Sequence, residues 1–209
     1  MKWREKFSVR SNPEVYPPSE DTWFLTEFLS DFLSRYKIEK GQSGLICEVG
    51  IGTGYILIYL YQAYPYLRFF GTDISPMAVS LSIENIKEWI PDNNAYFCCA
   101  RYLDCFNPQN FSPDIIYFNP PYVRTSFDEY IQTNSPIVRT WAGGPSGVIP
   151  VTKFLDGLHR FKFKYAFFLS SSLNDNSDIM RYTQFHIVEM ARKKIEGEQL
   201  ICYQATPRS

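Results

Sequence analysis

The chain is short of metal ligands, of disulfide patterning and of charge imbalance. It has only two histidines, His159 and His186, and five cysteines, an odd number with no C-x-x-C pair. That excludes a disulfide framework and makes a zinc site within the chain unexpected; a reduced, cytoplasmic setting fits. Twenty-one basic residues stand against 22 acidic ones, so no basic face for a phosphate backbone is expected. The longest uncharged stretch, Val49 to Leu67, is broken by three glycines, Thr53, Gln62 and Pro65, and reads as a buried turn and helix rather than a membrane span. Lys2, Arg4 and Lys6 lack a following apolar core, so no signal peptide is expected. No linker, repeat or low-complexity tract divides the 209 residues, which suit one α/β domain, with residues 1–44 as entry segment and helix and 45–209 as core.

What the chain does have is two apolar runs that stop abruptly. Ile115-Ile116-Tyr117-Phe118 reads as a buried strand ended by Asn119-Pro120-Pro121-Tyr122, because two prolines cannot donate ladder hydrogen bonds. The loop lies at a strand carboxyl end, where open α/β sheets bind ligands. Asn119 Oδ1 and the Pro120 carbonyl can each accept one N–H of a planar NH2 group, and the Tyr122 ring can pack on its plane. Leu45 to Val49 runs into Gly50-Ile51-Gly52-Thr53-Gly54, a G-x-G-x-G turn and not the G-x-G-x-x-G that cradles a pyrophosphate. Glu48 would repel a phosphate there. Its expected roles are to accept turn N–H groups or to face an amino-acid moiety, with an ion pair as the alternative. Asp73 closes the next apolar run at the distance suited to a ribose diol, with Ile74 to cover an adenine ring. A ribose-bearing cofactor without phosphates, S-adenosyl-L-methionine, fits these positions.

The remaining periodicity predicts alternating helices and strands. Ser19 N-caps a helix with Glu20 and Asp21 in its first turn and an apolar stripe at Phe24, Phe28, Phe32 and Tyr36. Tyr55–Tyr64 forms the next helix. Ser75 and Pro76 open another, with Val79, Ile83, Ile86 and Ile90 on its apolar face. Strands are expected at Ala95–Ala100, 115–118 and Lys164–Ser170, and helices at Val151–Phe161 and Asp175–Tyr182. A hairpin of Phe185–Met190 with Leu200–Tyr203 ends the chain. The expected fold is a Rossmann-like α/β domain with a mostly parallel seven-stranded sheet, a C-terminal antiparallel hairpin and helices on both faces. Glu20 and Asp21 serve either as helix-start charge or directly in the site. Asp104 is the candidate acceptor for an adenine amino group, although the register of Arg101–Cys105 leaves Tyr102 and Cys105 as alternatives. Asp114 reads as a turn residue.

These residues resemble the class I methyltransferases that carry the Asn-Pro-Pro-Tyr motif. Tyr16-Pro17-Pro18-Ser19-Glu20-Asp21-Thr22, Trp141-Ala142-Gly143-Gly144-Pro145-Ser146-Gly147 and the final Ala191–Cys202 stretch narrow the resemblance. They are similar to the eukaryotic and archaeal enzymes that N5-methylate the glutamine of the Gly-Gly-Gln loop in class I translation release factors. The resemblance implies that Thr22 and its neighbours close over the methionine end of the cofactor and that a release factor is the substrate. It also implies a small zinc-containing activator protein as heterodimer partner. Strand addition at Tyr96, Phe97 and Cys98 would join it to a sheet edge that lacks charge or proline to discourage pairing. Bacterial relatives place a docking domain before the core, and here docking falls to Met1–Pro18 and Thr125–Gly147. Methylation of adenine N6 in nucleic acid and a catalytically silent scaffold are the alternatives.

Overall fold

The computed structural model describes residues 8–36, 44–132 and 135–208; expectations for Lys2, Arg4 and Lys6 fall outside them. Helix α1 spans Glu20–Arg35, followed by β1 (Leu45–Val49), α2 (Tyr55–Ala63), β2 (Arg68–Asp73), α3 (Pro76–Trp89) and β3 (Ala95–Cys99). Then come β4 (Ile115–Phe118), β5 (Val123–Arg124), α4 (Phe127–Gln132), α5 (Pro136–Arg139), β6 (Ala142–Gly144) and α6 (Ile149–Leu158). The chain closes with β7 (Tyr165–Ser171), α7 (Ser177–Met180), β8 (Phe185–Ile195) and β9 (Glu198–Pro207).

The main sheet has the order β3-β2-β1-β4-β7-β9-β8. Its first five strands are parallel, and β9 runs antiparallel to both neighbours. All of β1 and all of β4 are buried, as a parallel strand covered on both faces must be. On one face Ile46, Ile115 and Tyr117 meet Leu25, Leu29, Ile58 and Ile86. On the other, Cys47, Val49, Ile116 and Phe118 meet Val151, Phe154, Leu155 and Ile179. Burying one such aliphatic side chain contributes about 1.5–3 kcal/mol.

Two helix stripes are met in part. In α1, Phe24 is buried as expected, and the deepest apolar positions are Leu25, Leu29 and Leu33. Phe28 and Phe32 flank them, each edge-on to Phe167, with ring centroids 5.2 and 4.7 Å away. In α3 the buried face is Ala78, Leu81, Ser82, Asn85 and Ile86, while Val79 and Ile83 are only half-buried. The terminal hairpin is longer than its apolar residues alone suggested, because Glu189 to Lys194 alternate outward on a solvated edge. A second, two-stranded sheet of β5 and β6, with α4 and α5 beside it, forms the excursion between β4 and α6 that the sequence did not announce.

Two features of the sheet matter for function. The chain enters at β1, winds outward through β2 to β3, then returns to place β4 on the other side of β1. The crevice at that reversal, above the strand carboxyl ends, is where an open α/β sheet holds a ligand. And β3 pairs only with β2, which leaves it an edge strand among the described residues.

Candidate active site

Val49 and Phe118 are register partners, so the turn after β1 and the loop after β4 leave adjacent strands at the same level. They form the floor of a cleft of about 940 Å³. The glycine turn keeps a tight path: Gly50 and Ile51 donate to the Thr72 carbonyl at 2.7 and 3.0 Å, and Gly50, Gly52 and Gly54 have φ of 71°, 53° and 80°. Side chains are disfavoured at such φ, and at Gly54 a Cβ would also press on Ser82 at 3.2 Å.

Asp73 is half-buried at the end of β2. Its Oδ2 accepts from Gly52 N–H at 3.0 Å and its Oδ1 from Ser75 N–H at 2.9 Å, with the Ile74 N–H nearby, and the carboxylate lines the cleft. Burial raises its pKa, opposed by these N–H donors. Ile74 lines the cleft with 60% of its surface exposed. Glu48 is buried beneath the turn and lines the cleft, where it can face an amino-acid moiety as one of its two expected roles requires; the other role is not seen, since Gly50 and Ile51 N–H go to Thr72, Gly52 to Asp73 and Gly54 to Ile51. Glu48 instead accepts from the Tyr117 hydroxyl at 3.0 Å, because residues 48 and 117 point to the same face of neighbouring strands. Burial holds its carboxyl well above the usual range, and the nearby Asp73 charge pushes in the same direction.

The other wall combines α1 with the loop after β4. Asp21 is only 4% exposed. Its Oδ1 accepts from Thr22 N–H at 2.7 Å, and its Oδ2 accepts from Asn119 Nδ2 and from the Tyr122 hydroxyl, both at 3.2 Å. Asp21 is thus part of the site and not merely helix-start charge. Glu20 pairs with Lys193 at 3.1 Å. Thr22 lines the cleft and closes the helix start by accepting from Ser19 N–H at 3.2 Å. With its amino group committed to Asp21, Asn119 presents Oδ1, a buried oxygen without a partner among the described residues. The Pro120 carbonyl likewise carries no hydrogen bond among them. Burial and the Asp21 charge push the Tyr122 phenol upward, so it stays protonated.

Asp104 is a correction. It lies outside the cleft, half-exposed, and pairs with Arg160 at 3.1 Å. Two successive turns, Asp104 N–H to Arg101 O and Phe106 N–H to Leu103 O, carry it outward while Leu103 enters the core. Ala100, Arg101 and Tyr102 line the cleft instead. Tyr102 has a left-handed φ of 49° and packs edge-on against Phe118, with centroids 5.9 Å apart. Cys105 is exposed, its thiol pushed up to about 12 by burial and by a hydrogen bond with Cys98.

The mouth is framed by residues from α4 to β6, among them Tyr130, Ile131, Pro136 and Trp141. Asn174 secures this frame by donating to the Tyr122 carbonyl at 2.9 Å and the Gly147 carbonyl at 3.2 Å. Gly147 has φ 75°, and a Cβ there would fall 2.0 Å from Asn174 Oδ1. Tyr117 and Asn174 are the site residues that sequence reasoning did not assign, and Asp21 is one for which it left two roles open. Only Asp21 left a signal, as an acidic residue at a helix start. No three His, Cys, Asp or Glu side chains gather as a metal set among the described residues, and no described helix is long and apolar enough to cross a membrane.

Comparison with known proteins gives a consistent picture. The profile of the methyltransferase small domain family matches residues 22–139. A putative protein N5-glutamine methyltransferase of Methanocaldococcus jannaschii is 30% identical over 206 residues, covering 96% of each chain. The eRF1 methyltransferase catalytic subunit mtq2 of Schizosaccharomyces pombe is 30% identical over 195 residues, covering 88% of this chain and 76% of its own. Among solved structures, that of the E. cuniculi Mtq2-Trm112 complex, described as responsible for methylation of the eRF1 translation termination factor, superposes with a TM-score of 0.63. It covers 93% of this chain and 99% of the other at 23% identity.

Proposed function

Since the chain belongs to the methyltransferase small domain family, we propose that it is an S-adenosyl-L-methionine-dependent protein-glutamine N5-methyltransferase. Its substrate is the Gly-Gly-Gln glutamine of a eukaryotic-type class I translation release factor. The observation that carries this reading is the pair of open acceptors, Asn119 Oδ1 and the Pro120 carbonyl, at the base of the cleft. A primary amide presents two coplanar N–H groups, and two acceptors fix both its position and its plane.

The residues fit the cofactor. Asp73 lines the cleft with a carboxylate whose two oxygens suit a ribose diol, and exposed Ile74 offers an apolar face for adenine. Gly50 and Gly52 let the backbone come close, Glu48 lies beneath, and Thr22 and Asn119 border the opposite end. Tyr102 takes the place assigned to Asp104. When bound, S-adenosyl-L-methionine supplies an electrophilic methyl group on a sulfonium.

An amide nitrogen is a weak nucleophile because its lone pair is delocalised. Asn119 and Pro120 compensate by orienting it and by accepting both N–H bonds, which are held more strongly as positive charge develops on nitrogen. Asp21 prevents the Asn119 amide from flipping, since only the NH2 end can donate to its carboxylate. Tyr122 packs its ring at the site, with its hydroxyl anchored on Asp21.

We assign the segment 125–147 to the substrate entrance, supported by Tyr130, Ile131 and Trp141 at the mouth. Residues 133 and 134 of it lie outside the described residues, as does part of the expected Met1–Pro18 docking segment. Reduced hydrogen exchange in 125–147 on adding release factor is the expected result. We assign a small zinc-containing activator to the β3 edge, supported by the open edge and by Tyr96, which is 54% exposed and stacks on Phe70 at 5.0 Å. Phe97 packs against the core near Gly71, so the exposed Tyr96, changed to lysine, tests the edge without disturbing that packing. Co-expression with the activator should raise solubility and activity, and Tyr96→Lys should reduce that gain. We treat residues 1–209 as one catalytic domain and place it in the cytoplasm, in keeping with its five free cysteines.

The deciding experiment is mass spectrometry of a release factor and an adenine-containing oligonucleotide, each incubated with labelled cofactor. One methyl group on the Gly-Gly-Gln glutamine is expected. Labelled adenine with an unmodified release factor would overturn the assignment.

A further inference from the structure

We propose that Asn85 is a positioning residue for the cofactor pocket: its buried side-chain amide latches the N-terminal strap, residues 8–16, to the glycine turn so that the two walls close as one unit. The proposal rests on the cofactor reading above but not on the identity of the methylated substrate.

Asn85 is fully buried on α3, in a helix face otherwise made of Ala78, Leu81, Ser82 and Ile86. A side-chain amide costs free energy there unless its groups are paired. All of its recorded bonds point to two places. Oδ1 accepts from Arg10 N–H at 2.8 Å, while Nδ2 donates to the Arg10 carbonyl at 3.2 Å and to the Thr53 carbonyl at 2.9 Å. Thr53 sits in the glycine turn and lines the cleft. Arg10 begins a path that leads to Glu14, Val15 and Tyr16, which line the same cleft from above. Val15 is 2% exposed and packs on Ala78 and Leu81 at the start of α3.

Between the strap and α3 the other polar ties described are exposed: Arg10 with Glu88 at 2.9 Å and Glu84 at 3.7 Å, Asn12 Nδ2 with Met77 Sδ at 3.3 Å, and Trp89 Nε1 with the Ser8 carbonyl at 3.0 Å; at its far end Tyr16 is held separately by Asp21 and Ser19 at the start of α1. Exposed ion pairs contribute little. Breaking a buried amide pair leaves unsatisfied groups on both sides. Of the ties to α3, the Asn85 amide is therefore the one whose loss should loosen the strap at Arg10, and it also fixes the Thr53 end of the turn. Glu14, Val15 and Tyr16 form one wall of the cleft, so the residence time of a ligand that rests against this wall should depend on the latch.

The test uses the full chain, co-purified with its activator if required, with S-adenosyl-L-homocysteine as probe. Calorimetry and stopped-flow dissociation are run well below each variant's unfolding midpoint. Asn85→Ala should raise Kd about tenfold or more, mainly through faster dissociation, and raise KM for the cofactor while kcat stays within about twofold. Arg10→Pro removes the backbone N–H that Asn85 accepts and leaves Asn85 in place; it should shift Kd in the same direction. Arg10→Ala keeps that N–H and should leave Kd within about twofold. If Asn85→Ala does not fold, Arg10→Pro decides. A folded Arg10→Pro or Asn85→Ala chain with the parent's Kd and dissociation rate overturns the latch. Failure of the parent itself to bind the probe would instead strike at the cofactor reading.

Discussion

The two halves of the cleft are finished differently. On the side built by β1, β2 and α3, most carboxylate and amide groups are tied within the chain: Asp73 holds Gly52 and Ser75, Glu48 holds Tyr117, and Asn85 holds Thr53 and Arg10, while the Thr72 hydroxyl is buried without a partner among the described residues. On the side built by β4, the acceptors at Asn119 and Pro120 have no partner among the described residues, and the Asp21 carboxylate holds the Asn119 amino group. The satisfied half offers a preset shape, suited to a ligand that recurs in every turnover. The open half stores unmet hydrogen bonding that only the reacting group can satisfy. Substitutions should therefore separate into those that alter cofactor affinity and those that alter turnover.

The largest effect is expected at Asn119. Asn119→Ala should lower kcat by about 10²–10³, the scale for losing one preorganised transition-state contact, with cofactor Kd changed far less. Single-turnover rates and calorimetry give the two numbers. Turnover within a few-fold of the parent would erase the distinction between the halves. Next comes Asp73→Ala, which should weaken S-adenosyl-L-methionine binding by about 1.5–3 kcal/mol, as for a charge-assisted hydrogen bond. Its rate at saturating cofactor should fall much less than its affinity.

A smaller effect is expected at Asp21, which acts through Asn119. Asp21→Asn keeps the shape but loses the charge that selects the Asn119 NH2 end, and kcat should fall about tenfold, near 1.4 kcal/mol, at unchanged cofactor Kd. Equal losses in both quantities would make Asp21 a general structural group. The smallest effect is a pH slope. The folded state holds the Glu48 proton above the usual carboxyl range, so it binds more protons than the unfolded chain as pH rises above about 4.5. Ionising Glu48 then works against folding, and this penalty grows until its folded pKa is passed. Glu48→Gln, without cofactor, should gain in melting temperature relative to the parent as pH increases through that window. A difference that is flat with pH would show that Glu48 is ionised in both states.

Much of this arrangement was legible in the chain because strand ends and site loops coincide. Gly50 and Pro120 stop their strands for backbone reasons, so the residues that end a strand are those that line the crevice. The Asp73 placement followed from the same logic. Three things were hidden. Asp104 depended on the hand of two consecutive turns after β3, which residue type does not report. In α3, Ile86 and Ile90 are buried as expected, but Ser82 and Asn85 take the places expected of Val79 and Ile83, Asn85 meeting the strap and Ser82 packing against the turn at Gly54. The bond between Asp21 and Asn119 joins residues 98 positions apart, and no local pattern encodes it.

The pairing of β1 with β4 has a consequence for how the protein forms. Glu48 and Tyr117, joined across those strands, are 69 residues apart. Closing a loop of that length costs about 4 kcal/mol of chain entropy before any contact repays it. Strands β1, β2 and β3 can associate through nearer neighbours, but neither the cleft floor nor its open acceptors exist until this distant closure occurs. During synthesis the aromatic edge at β3 is complete in sequence before β4 has been made. The chain therefore passes through a stage in which its stickiest surface precedes its active site, and folding speed, not only final stability, is exposed to changes along the β1–β4 seam.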